Sequence, residues 1–148
     1  MGSLFASIVD TVATMTITGY NLDVYYGDAS VNNVDIANLP CRVINAVGFT
    51  SQMQKIKTFG AGHVITTEWT LTDLTLWRKA GTGYGLKDVN QDLTNYLAAY
   101  HNAVRQLIAP QWSLTRCQLR SSVLEWPAAS GSYHDAITAT LSITEIIE

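Results

Sequence analysis

The chain has 148 residues, a formal net charge of −3 and only 14% charged residues, where soluble domains average about 25%. It has no basic tract to support groove binding to duplex nucleic acid, and no apolar run approaching the roughly 18 residues of a membrane span. The length fits a single domain, residues 1–148. A surface of Thr, Ser, Asn and Gln in place of charge points to a chain that gives much of itself to partners, the plainer alternative being a neutral-surfaced monomer.

In chain order, Leu4, Phe5, Ile8, Val9, Val12 and Met15 recur at helical spacing, with Ser3 placed to cap a first short helix. Residues 16–19 end it, and residues 21–26 read as a strand. Turn chemistry follows over residues 27–33, then an irregular connector to Pro40. Residues 41–47 predict a second strand, mostly apolar and so interior to a sheet. Residues 51–58, interrupted by Phe59-Gly60-Ala61-Gly62, read either as a long hairpin arm or as a loop.

The longest strand pattern runs from Val64 to Arg78. Ile65, Thr67, Trp69 and Leu71 alternate on one parity, whereas Leu74 and Leu76 fall on the other. That change of phase predicts a bulge or bend near Thr72-Asp73. A glycine-rich stretch, residues 80–85, leads into the one long helix, Leu86 to Ile108, which Pro110 closes. Its apolar stripe is Val89, Leu93, Tyr96, Leu97, Tyr100, Val104, Leu107 and Ile108, and Asn95, Asn102 and Arg105 lie on the opposite, polar side. Residues 112–126 form an irregular strand, and residues 127–132 a turn. In the last strand Ile137, Ala139, Leu141 and Ile143 alternate with Thr138, Thr140, Ser142 and Thr144. The fold class is therefore α+β: a single, mostly antiparallel β-sheet with a short N-terminal helix and one long amphipathic helix packed on one face.

No catalytic constellation emerges, and the chain is not expected to be an enzyme. Gly81-Thr82-Gly83-Tyr84-Gly85 misses the spacing of a dinucleotide loop and has no acidic residue at the required distance. His63, His101 and His134 stand apart from other ligand types, so neither a metal nor a cofactor is expected. Glu68 and Asp73 fall on opposite faces of a regular strand, which argues against paired acid–base work. Cys41 and Cys117 read as buried thiols, with a disulfide as the lesser alternative. The first residues lack the basic and apolar regions of a secretory signal, so assembly in a cytoplasm is expected. The tryptophans are packing residues, and Trp77-Arg78 is the first interface candidate.

The order of parts resembles a known family. A short helix leads to Val24-Tyr25-Tyr26-Gly27-Asp28, then to Leu39-Pro40-Cys41-Arg42-Val43, then to the aromatic strand Thr67-Glu68-Trp69-Thr70-Leu71-Thr72-Asp73-Leu74. A single amphipathic helix follows, then Trp126-Pro127, a Gly-Ser turn, and Tyr133 before the alternating strand. This is similar to the tail terminator proteins of long-tailed bacteriophages, lambda-like type. Nearly the whole chain is covered, except residues 51–62. The resemblance implies a homohexameric ring that caps the head-proximal end of the tail tube and joins it to the head connector or neck. Partners would be further copies, the tail tube protein and the connector, with DNA only passing through the lumen.

In that setting Trp77, Arg78, Tyr84, Lys55, Lys57, Phe59 and Arg105 are candidate contact residues, and Asp28, Asp35 and Asp73 candidate lumen-facing residues. A tail tube or connector subunit is the structural alternative. A small-ligand-binding α+β domain is the alternative of another class, and it would need polar groups converging between helix and sheet.

Overall fold

A computed structural model describes residues 3–26, 40–55, 63–79, 86–107, 109–125, 131 and 133–147. The elements run α1 (Phe5–Thr14), β1 (Asp23–Tyr26), β2 (Cys41–Lys55), β3 (His63–Lys79), α2 (Leu86–Arg105), β4 (Trp112–Glu125) and β5 (Tyr133–Ile147). The protein is α+β, with a mixed sheet in which the described strands follow the order β1-β2-β3-β5-β4. Among the described strands only the β1–β2 pair is parallel. The three longer pairings are antiparallel, and residues 51–55 extend β2 into an arm paired with β3 as far as Lys55 opposite His63.

Both helices pack on one face of this sheet. Ile8 and Val12 of α1 and Leu93, Tyr96, Tyr100 and Val104 of α2 share a core with Ile44, Leu71, Ile137, Ala139, Leu141 and Ile143. The sheet residues named here have the parity that β-pleating turns toward the helices. Asn95, Asn102 and Arg105 are exposed on the outer side of α2. After Arg105 the helix closes with tighter bonds, Gln106 N to Ala103 O at 3.2 Å and Leu107 N to Val104 O at 3.1 Å, which satisfy carbonyls left over at a helix end. Past α1, Gly19 takes a positive φ of 89°, which turns the chain from the helix toward β1.

The opposite face of the sheet has two zones. Cys41, Val43, Leu74, Leu76 and Ala136 form a second, smaller buried cluster, with Tyr25 and Leu124 against it. Beyond it, Thr138, Thr140, Ser142 and Thr144 of β5 lie beside exposed Arg116, Gln118 and Arg120 of β4.

The expected bulge at Thr72-Asp73 is not there. The register of β3 runs unbroken from Leu71 to Leu76 against both neighbours. The irregularities instead fall between Ala46 and Gly48 of β2 and between Leu76 and Arg78 of β3. Leu74 and Leu76 change parity because they serve the second cluster. The helix-facing positions between and beside them hold Asp73 and Thr75, both buried. A buried polar pair had produced the appearance of a phase slip.

The cysteines are both free. Cys41 lies on β2 and Cys117 on β4, with β3 and β5 between them. Three strand spacings make about 14 Å, well beyond disulfide reach. Burial, with the Asp23 charge adding to it, pushes the Cys41 thiol up to about 11.

Candidate functional site

The polar residues buried under the helices form two clusters, one at each end of α1. At the C-terminal end, Arg42 of β2 is 2% exposed and Asp73 of β3 is 0% exposed. Arg42 Nε donates to Asp73 Oδ2 at 3.1 Å, and Nη2 donates to the same carboxylate. Nη2 also donates to the Val12 carbonyl at 3.1 Å, so a guanidinium sits where the helix dipole is negative. Tyr100 Oη donates to Asp73 at 2.6 Å, and Tyr96 Oη is 2.9 Å from Thr75 Oγ1. Sheet, α1 and α2 are thus tied together through one buried ion pair.

The cluster's titration follows from its burial. Desolvation, reinforced by the Asp73 charge and hydrogen bond, holds the Tyr100 hydroxyl well above its ordinary value. Burial likewise raises Tyr96, against a lowering hydrogen bond from Thr75. For Arg42 burial acts to lower the pKa, but Asp73 more than offsets it and the net direction is upward. Arg42 stays charged and both tyrosines stay neutral.

At the N-terminal end, Glu145 of β5 is 1% exposed. Its carboxylate accepts from the Leu4 backbone N–H, from Ser3 Oγ at 2.9 Å and from Trp69 Nε1 at 3.0 Å. Ser3 also accepts from Phe5 N at 3.1 Å. The N-cap is Leu4, not the expected Ser3, and it has no side-chain cap bond; Ser3 stands one residue earlier, and the Leu4 N–H goes to the Glu145 carboxylate, placed where the helix dipole is positive. Phe5 stacks on Trp69 with ring centroids 4.2 Å apart, and the Phe49 ring lies 4.6 Å from the same tryptophan.

These clusters are built to hold the fold. Asp73 makes its bonds to groups inside the protein, and no solvent reaches it to admit a substrate. Asp73, expected on a lumen-facing surface, is thus an interior residue: its parity turns it under α2, where Arg42 neutralises it. Asp28 and Asp35 lie outside the described residues.

Of the candidate contact residues, Trp77 is half-buried, with its ring 5.8 Å from Tyr20 and 5.3 Å from Tyr96. The Arg78 side chain is 17% exposed and pairs with Asp135 at 3.4 Å. Trp77 and Arg78 thus each have partners within the chain itself. Arg105 is exposed beside a shallow polar groove with Thr18, Asn102 and Gln106. Lys55 ends the described part of β2 opposite His63, while Lys57, Phe59 and Tyr84 lie outside the described residues.

One signal in the sequence marks Arg42, Asp73 and Glu145: each is a charged residue at a core-facing position of a strand. Arg42 stands between Cys41 and Val43, and Glu145 continues the parity of Ile137 to Ile143. A charge in such a place requires a buried partner.

The surface offers different features. Among the described residues no three His, Cys, Asp or Glu side chains are grouped to hold a metal ion, and no helix is long and apolar enough to cross a membrane. Phe49 is 63% exposed on β2, Val123 60% on β4 and Ile146 50% on β5. On the face away from the helices, a cavity of about 350 Å³ is lined by Gln118, Arg120, Ser122, Thr138 and Thr140. No family model matches the chain, and no curated protein matches it.

Proposed function

We propose that the chain is a structural virion subunit of tail-terminator type. In this reading copies form a ring, a homohexamer, at the head-proximal end of a phage tail tube and join it to the head connector. Assembly takes place in the host cytoplasm, and DNA only passes through the lumen. The observation that carries this reading is the allocation of charge. The scarce buried charges fasten helices to the sheet, whereas among the described residues the other sheet face and the outer side of α2 are mainly uncharged and polar, with Glu68 and Asp92 as their exposed acids. Such surfaces suit repeated protein contacts, and a ring uses two different faces of each subunit.

The order α1-β1-β2-β3-α2-β4-β5 also follows the order of parts on which the family resemblance rests. A small-ligand reading has one favourable observation, a cavity of about 280 Å³ bordered by Ala13, Met15, Tyr20 and Arg42. The Arg42 guanidinium is already committed to Asp73 and to the end of α1, so no charged group is left to recognise a ligand there.

The test is the mass of the purified protein by light scattering, with negative-stain images. A six-fold ring that does not extend is the expected result. Open-ended tubes would favour a tube subunit, and a monomer at every concentration would overturn the assembly reading.

A further inference from the structure

The sheet ends in two backbone edges on opposite sides. Among the described residues β4 is its terminal strand, and none of them pairs along the outer edge of Trp112–Glu125. β1 covers β2 only from Cys41 to Ile44, so among the described residues 45–55 carry no strand on their outer side. An open edge presents N–H and C=O groups at a spacing that another extended backbone matches. Sheet edges that remain solitary are usually blunted by proline, lysine, inward charge or bulges. Here residues 112–125 contain no proline, only Arg116, Arg120 and Glu125 as charges and one bulge near their start, at Leu114/Arg116, and residues 45–55 contain only Lys55, at their end, and one bulge near their start, at Ala46/Gly48.

We propose that each edge is filled by a second copy of this chain, the outer edge of β4 in one copy pairing with residues 45–55 of β2 in the next. The inference rests on the ring reading above and names the contact that closes the ring.

Strand direction carries it. β2, β3, β5 and β4 are antiparallel in succession, so β2 and β4 run in opposite directions. A copy placed alongside by rotation about an axis lying along the strands brings its β2 antiparallel to the first copy's β4. The two edges differ and lie on opposite sides, which makes the contact head-to-tail and able to close.

The side chains agree with this on both faces. Toward the helices, Phe49 follows Trp69, Ile143 and Leu114 in one cross-strand row. Trp69 covers its inner side, and it is otherwise open at the edge. The neighbour's β4 would bring Leu114, Cys117 and Leu119, apolar residues of the same face, against it. On the other face Thr50 and Gln52 would meet Ser113, Arg116 and Gln118, all exposed and hydrogen-bonding.

Paired cysteines test the contact in a Cys117→Ala background. Thr50→Cys is combined in turn with Ser113→Cys, Arg116→Cys and Gln118→Cys. Within one copy these positions are three strand spacings apart, about 14 Å, so any disulfide joins two copies. After mild oxidation, at least one double variant should give a ladder on a denaturing gel without reductant, rising to the mass of the closed oligomer and collapsing to monomer when reductant is added, while the single variants stay uncrosslinked. Independently, Phe49→Asp should raise the concentration needed for assembly at least tenfold, with an unchanged circular dichroism spectrum. An oligomer of parental mass that forms no cross-link in any pair would overturn the edge contact and leave the ring reading standing. Self-cross-linking of Gln118→Cys alone would overturn it in favour of two β4 edges. A parent protein that is monomeric throughout would remove both.

Discussion

The two faces of one sheet carry polar residues with opposite consequences. Under the helices, Arg42, Asp73, Thr75 and Glu145 are buried and each is bonded to a helix or its flank. On the other face, Thr138, Thr140, Ser142 and Thr144 are half-exposed on the same strand that carries Glu145. Water can replace a lost partner on the second face and cannot on the first. The same chemistry is therefore structural on one side and available for contacts on the other.

The largest effect that tests this contrast is the loss of one partner from the buried ion pair. Asp73→Ala leaves the Arg42 guanidinium charged and unpaired beneath two helices and frees the Tyr100 hydroxyl. Breaking such a pair costs about 3–5 kcal/mol, measurable as a shift in urea midpoint at constant slope. Replacing both partners, as in Arg42→Met with Asp73→Leu, should recover much of the loss, because the desolvation penalty is then removed as well. A single-variant cost below about 1 kcal/mol would mean that water reaches the pair.

Alkali probes the same face without mutation. Tyr96 and Tyr100 hold their protons more tightly folded than unfolded, where 10.0 is the ordinary value, and Cys41 behaves likewise against 9.0. Above those ordinary values the unfolded chain has released protons that the folded chain still binds, so stability falls as pH rises. The contribution is intact below pH 9.0 and declines from there toward about 11 for Cys41, with the tyrosines following above 10.0. Each group adds up to about 1.4 kcal/mol per pH unit to the slope while it is titrating in the unfolded chain only. Tyr100→Phe should remove one group's share of that slope in denaturation curves collected from pH 8 upward, and an unchanged slope would show that Tyr100 is not part of it.

Much of this fold was legible from periodicity. The helical stripe through Leu93, Tyr96, Tyr100 and Val104 and the alternation through Ile137 to Ile143 both depend on local spacing, and both face the core they imply. The connection between elements was not legible in that way. Glu145 caps a helix that begins at Phe5, and Arg42 reaches Asp73 through a strand pairing, so neither contact leaves a local pattern. The pattern Asp73 leaves imitates a bulge, because periodicity counts apolar residues and a satisfied buried carboxylate counts as a gap. Trp77 is a further case: its contacts with Tyr20 and Tyr96 join elements distant in the chain and leave no local pattern.

The two ends of α1 offer a finer comparison. Glu145→Gln keeps the size of the side chain and one acceptor oxygen but removes the charge at the helix N-terminus. Capping and dipole effects of this kind are worth about 1–2 kcal/mol, less than the loss of Asp73 because no buried charge is stranded. Hydrogen exchange should register the change first in the opening turn of α1, while amides of β3 and β5 are affected only through global stability. A uniform increase across the sheet would instead make Glu145 a determinant of the whole core.

The smallest effect belongs to the outer face. Thr140 is half-exposed and lies in a ladder row between Thr72 and Gln118. Thr140→Val preserves shape and β-branching and deletes only a hydroxyl that water can satisfy in either state. Its effect on unfolding should stay within about 0.5 kcal/mol, in denaturation measured at low protein concentration. A cost several times larger would mean that the hydroxyl has a buried partner, and the outer face would then be a second interior. If the cost is small in the protomer but grows once copies assemble, the face is one that assembly covers, and the contrast between the two faces is the contrast between folding and contact.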